Sequence, residues 1–234
     1  MPTKEIDGHH TERFLAWVGE HFPAALFDFI LRRLDRDAEF DRQNEKKAGY
    51  SPIPHHRFGN AFRPLQNGPH YRTFLEQAKD SFTTQPEQEY WLRELFWSIG
   101  SIDATALGVI DELVHRGDTQ SARIALALLG GAPPELALSR PRFAVHMIEE
   151  CQRVDAQLAV SAESVLLTNA QTGSFNRASG QPSPKYLSMK DRSEALSEVF
   201  PQGSSGNRLF TRLREVAVEM LNRERLDDEQ IGFE

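Results

Sequence analysis

Apolar residues recur every three or four positions along most of this chain, and Gly, Pro and small polar residues punctuate the pattern. That spacing gathers side chains on one face of a helix. Phe14, Leu15, Trp17 and Val18 predict a helix near Thr11–Glu20, and Pro23 then opens a longer one with the stripe Leu26, Phe27, Ile30, Leu31 and Leu34. The charged tract Arg36–Lys47 reads as the solvated end of that helix. Further helices are expected near Tyr71–Phe82 and from Pro86 to Gly100, the latter carrying Trp91, Leu92, Leu95, Phe96 and Ile99. Leu107, Ile110, Leu113 and Val114 mark the next, with Gly117 as its stop. Asp118 or Thr119 can cap another, with Ala122, Ala125, Leu126 and Leu129 before Gly130 and Gly131. After Pro133 and Pro134 come two more, one with Ala144, Met147, Ile148 and Cys151, the other with Leu158, Ala162, Val165 and Leu166. The Ser/Gly/Pro-rich stretch Thr172–Pro184 reads as a loop or strand-like hairpin. A strong final helix, Arg208–Arg225, carries Leu209, Leu213, Val216, Ala217 and Met220, with Asn207 or Ser205 as its cap; Asp227–Glu234 is expected to fray.

Helices this short are marginal alone and must bury their apolar faces on neighbours. Short connections favour antiparallel neighbours. The expected fold is therefore all-α: an irregular stack of antiparallel helical hairpins, either a short HEAT-like α-solenoid or a helical bundle. No TPR, ankyrin or leucine-rich consensus recurs at a fixed period. The chain is read as one domain: N-terminal helices 11–45, a long loop 46–70, a helical stack 71–171, a second loop 172–186 and closing helices 187–226. Leu95, Leu107, Ile110, Leu126, Met147, Val165 and Leu213 are the expected core.

Composition narrows the functional classes. With 234 residues the chain can build a core without disulfides or metals. Its single Cys151 excludes an internal disulfide and, on an apolar helical face, reads as a buried, inert thiol. The net charge of −7 and mean hydropathy of −0.50 suit a soluble protein and argue against broad affinity for nucleic acid or anionic membranes. No apolar run approaches a membrane span, and Met1–His10 lacks a secretory signal, so a cytoplasmic location is expected.

One segment differs in chemistry. From Lys46 to Leu75 there is no Asp or Glu; Lys46, Lys47, His55, His56, Arg57, Arg63 and Arg72 alternate with Tyr50, Phe58, Phe62, Tyr71 and Phe74. Pro52, Pro54, Pro64 and Pro69 keep much of it non-helical. Cations beside aromatics suit phosphates and unstacked bases. The competing reading is that Ile53, Phe58, Phe62 and Leu65 pin the loop onto the helices while Arg57 and Arg63 point to solvent.

Catalytic signatures are missing. His9-His10 and His55-His56 are adjacent pairs, whose side chains do not converge on one metal in a helix. Neither belongs to a zinc pattern. His146 and Cys151 fall on different sides of a helix, without a third residue to orient a catalytic pair. Glu149-Glu150 and Asp227-Asp228-Glu229 read as solvated faces. Gly203-Ser204-Ser205-Gly206-Asn207 precedes a helix but lacks the Lys and spacing of a P-loop, so capping explains it. No hydrolase elbow, kinase set or dinucleotide fingerprint occurs. No catalytic residue, cofactor site or metal site is expected, and the chain is read as not an enzyme.

Two stretches carry a resemblance. Phe27 through Arg33-Leu34 and on to Tyr50-Ser51-Pro52-Ile53-Pro54 resembles a helix-to-turn pattern of helical-repeat regions in large bacterial defence-associated proteins of the STAND/NACHT kind. Gly173–Pro184 resembles a Gly-x-Phe…Gly-x-Pro loop late in such regions. The nucleotide-binding and effector domains of that family have no counterpart here, and no ATPase residue carries over. The resemblance implies a sensing or scaffold region, as a separate polypeptide or a fragment. The expected function is a non-enzymatic protein-interaction helical domain. The alternative is nucleic-acid binding through Lys46, Lys47, His55, His56, Arg57, Arg63 and Arg72.

Overall fold

A computed structural model describes residues 9–43, 52–53, 59–65, 89–99, 104–173, 177–178 and 180–232. The helix expected near Tyr71–Phe82 lies outside them. Among the described residues every regular element is helical, so the fold is all-α. None of these helices is long and apolar enough to cross a membrane. The chain groups into two compact units, one up to Ile110 and one from Asp111 onward.

The first unit begins with α1, His9–His21, and α2, Pro23–Arg42. Only Phe22 separates them, and Pro23 provides the pre-set φ of a first helical residue. Leu26, Phe27, Ile30, Leu34 and Ala38 are buried along α2. The stripe thus continues one turn into the charged tract, where Asp37 is also buried and accepts a bond from Trp91 Nε1 at 3.0 Å. The tract is therefore not the wholly solvated end that the sequence suggests. A short helix α3, Gly59–Phe62, runs into a 3₁₀ turn at Arg63–Leu65. It packs on α1 at Gly19, where an added Cβ would stand 3.1 Å from the Ala61 carbonyl and 3.0 Å from Leu26. Ile53, Ala61, Phe62 and Leu65 are buried anchors, and Arg33 Nε donates to Pro52 O at 3.0 Å. α4, Glu89–Ile99, buries Leu95 and Phe96.

α5, Ala104–His115, runs from the first unit into the second. Gly117 ends it with φ +72°, as expected of a helix stop. The second unit continues with α6, Thr119–Gly130, α7, Leu136–Ser139, α8, Pro141–Val154, α9, Ala156–Gln171, α10, Pro184–Val199, and α11, Ser205–Ile231. Local chemistry sets the boundaries. Asp118 caps α6 by accepting from Ser121 N at 2.8 Å, and Asp155 is the single residue between α8 and α9, accepting from Gln157 N at 2.6 Å. α8 and α9 pack together, as do α10 and α11, and α11 also touches both α8 and α9. Leu209, Phe210, Leu213 and Ala217 of α11 are buried with Ala144, Met147, Ile148, Ala162 and Leu166. Burying each large side chain contributes about 1.5–3 kcal/mol.

Several details depart from the sequence pattern. Leu107 and Val165 are half-buried rather than buried, whereas Leu95, Ile110, Leu126, Met147 and Leu213 are in the core. α11 starts at Ser205, with Ser204 as the cap, because the Ser204 hydroxyl accepts from Asn207 N at 3.2 Å. It continues through Asp227–Glu229 to Ile231, where fraying was expected. Arg177 holds Asp228 there, and Arg225 pairs with Glu229 one turn on at 3.2 Å. Asn169, buried on α9, donates to the Leu129 carbonyl at 2.6 Å, which also accepts from Ala132 N at 3.0 Å, so two bonds hold the end of α6.

Candidate functional site

α1 places Phe14, Trp17 and His21 along one side, and Phe22 follows immediately. The rings contact one another. Phe14 and Trp17 stack at 6.3 Å between centroids, Trp17 and His21 at 4.9 Å, and Trp17 meets Phe22 edge-on at 5.6 Å. His21 Nδ1 donates to the Trp17 carbonyl at 2.9 Å, which fixes its ring beside the indole. Yet Phe14 is 60% exposed, Trp17 47% and Phe22 56%. The opposite side of α1 carries buried Gly19 and the contact with α3, so the helix is anchored while its aromatic row faces outward. In the sequence Phe14 and Trp17 serve only to mark the helix, because periodicity identifies a face without saying what covers it.

A second grouping lies in the second unit. Asp111 and His115 are one turn apart on α5, and His146 comes from α8. One ligand atom from each lies within 4.8 Å of the others. His146 Nε2 is 2.9 Å from Asp111 Oδ1, and His115 Nδ1 is 3.5 Å from the same oxygen. The imidazole rings are 5.3 Å apart. On its far side His146 Nδ1 faces Glu150 Oε1 at 3.8 Å, and Arg153 also binds that oxygen. Glu150 is only 6% exposed, so it is not part of the solvated acidic face expected from the sequence; Glu149 is. Sequence reasoning missed this grouping. The Asp-x-x-x-His spacing of Asp111 and His115 is the available signal, but nothing in the sequence ties it to His146, 35 positions from Asp111.

A cleft of about 310 Å³ opens between α7, the end of α9 and α10. Apolar Pro134, Leu138, Ala170 and Met189 line it, with Lys185 and Arg192 as its cations. Both cations bond backbone carbonyls: Lys185 those of Gln171 and Thr172, at 3.1 and 2.5 Å, and Arg192 that of Leu138 at 2.8 Å. Burial pushes the Lys185 ammonium pKa down. These bonds complete helix ends, a structural use of the charge.

Of the basic segment, Arg63 is exposed at the 3₁₀ turn and Phe62 is buried beside it. Lys46, Lys47, His55, His56, Arg57, Phe58 and Arg72 lie outside the described residues. Cys151 is buried, and burial, with the Glu150 charge behind it, pushes its thiol up to about 11. That keeps it protonated and a poor nucleophile. Asp228, another residue read as solvated, is held by both Nη nitrogens of Arg177 instead.

Comparison with known proteins gives no match to a family model, to a curated protein or to a solved structure.

Proposed function

We propose that this chain is a non-enzymatic helical module that binds another protein through the aromatic row of α1. The observation that carries this is the exposure of Phe14, Trp17 and Phe22, with Trp17 in contact with both phenylalanines. Large aromatics in water are unfavourable, and stable interfaces are centred on such side chains. Their few rotatable bonds, further restrained here by stacking, reduce the entropy lost on docking. The net charge of −7 favours a partner whose apolar contact is bordered by Lys or Arg. The likeness of Phe27–Pro54 and Gly173–Pro184 to helical regions of STAND/NACHT-type proteins supports a sensor or scaffold role in a bacterial defence-type assembly. Nucleic-acid binding through the basic segment is the alternative, and exposed Arg63 is its described contribution.

The test places a photo-crosslinking phenylalanine analogue at position 14 of the full chain in its host. The captured protein is then purified and its binding to the unmodified chain measured. Phe14→Ser with Trp17→Ser should weaken that binding by at least about tenfold, the scale of losing a central aromatic anchor. Unchanged affinity in the double variant would overturn the reading. A nuclease-sensitive adduct would support the nucleic-acid alternative.

A further inference from the structure

We propose that Asp111, His115 and His146 bind one divalent transition-metal ion, with zinc the best fit. Two imidazoles and a carboxylate are an established type of donor set for zinc, at about 2.0–2.2 Å per bond, with a fourth position left open. Tetrahedral geometry then separates the ligand atoms by roughly 3.4 Å. The distances from Asp111 Oδ1, 2.9 Å to His146 Nε2 and 3.5 Å to His115 Nδ1, bracket that value. The third edge, between His115 and His146, lies within 4.8 Å, so an ion needs only adjustments of side chains already gathered there. His115 Nδ1 also bonds the Asp111 backbone carbonyl at 3.2 Å, and coordination through that nitrogen would replace this bond.

The surroundings favour an ion over a simple His–Asp pair. Glu150 stands behind His146 on the nitrogen away from Asp111, and Arg153 holds it in place. At 3.8 Å the Glu150 carboxylate is short of a hydrogen bond; on closing the gap it would fix a metal-bound imidazole and make it a stronger ligand. Without an ion, His146 between two carboxylates has only the role of a salt-bridge partner. Imidazole nitrogen also selects against magnesium and calcium, which take oxygen ligands. Nickel and copper share the affinity for imidazole, so the chemistry names the class and the experiment ranks its members. The ion would clip α5 to α8 and offer its open position to water or to a side chain of a bound partner.

The test uses the full chain after treatment with a chelator. Cobalt is titrated and followed by visible absorption, then displaced by zinc, nickel or copper. The expected result is one equivalent of cobalt with the intense visible bands of a tetrahedral site, displaced by zinc, and a rise in melting temperature. His115→Gln and His146→Gln should each remove those bands while far-ultraviolet circular dichroism stays helical. Glu150→Gln should keep the bands and weaken binding by about 10–100-fold. The remaining histidines, including His9, His10, His55, His56 and His70, are unchanged in these variants, so any binding that survives belongs to them. If His146→Gln unfolds the chain, Asp111→Asn provides the same loss. Absence of saturable binding, or binding and bands unchanged in the His115→Gln and Asp111→Asn variants, would overturn the site.

Discussion

Arg177 grips the Asp228 carboxylate edge-on, Nη1 to Oδ2 at 2.6 Å and Nη2 to Oδ1 at 2.9 Å. The pair joins residue 177, in the segment after α9, to the last turns of α11, across 51 positions of sequence. Parallel bonds of this kind are among the stronger charge-assisted contacts.

The pair makes stability depend on pH with a definite sign. The Arg177 hydrogen bond, followed by its charge and a bond from the Gly180 backbone, holds the Asp228 carboxyl below the usual carboxylate range. A depressed carboxyl adds stability above its unfolded value, about 3.9. That contribution is lost as pH falls through the folded value. Wild-type protein should therefore be more stable than Asp228→Asn at neutral pH, and the difference should shrink in acid below about pH 4. Urea titrations of both proteins from neutral pH into acid would measure it. A gap that does not narrow would show that the pair contributes nothing through ionisation.

The start of α11 depends on an absent side chain. A Cβ at Gly206 would stand 2.5 Å from the Phe200 ring, which stacks on buried Phe210 at 5.4 Å. Gly206→Ala should cost about 1–3 kcal/mol by overpacking. Phe200→Ala should relieve that clash, so the double variant should be less destabilised than the sum of the singles. Chemical denaturation of the three variants gives the coupling. Additive losses would mean that Phe200 can move aside and that the close approach is incidental.

Cys151 should behave as a silent thiol. Its burial and its pKa of about 11 leave almost no thiolate at neutral pH. Native protein should resist alkylation by iodoacetamide, and the same protein in denaturant should take up one equivalent. Rapid labelling of the native chain would show that α8 opens locally.

Helix positions were legible in the sequence because their causes are local. Gly117, Asp118 and Pro23 act within one turn of themselves, and the stripes on α2, α6 and α8 follow from 3.6 residues per turn. The buried anchors Ile53, Phe62 and Leu65 were legible for a related reason: apolar side chains in a polar, Pro-rich stretch need a surface to pack on. α10 was harder to place, since its buried Tyr186, Met189 and Ser193 form a thin, partly polar stripe that only the close packing of α11 explains.

What one helix does to another was settled only in three dimensions. Phe14 and Leu34 both occupy apolar helical positions, yet one faces solvent and the other is buried, because occupancy of a face depends on what packs there. Glu150 and Asp228 sit in acidic runs that look uniform; burial sets Glu150 apart, and Arg177, 51 positions away, singles out Asp228. The same holds for His146, 35 positions from Asp111 and 2.9 Å away from it. Sequence by itself determined the longer helices, since dihedral preference and capping are short-range, but not the four-residue α3 and α7, which are too short to carry a stripe. Tertiary structure alone decided which polar residues meet, since that depends on how helices distant in the chain pack and on the fixed positions their backbones impose on side chains.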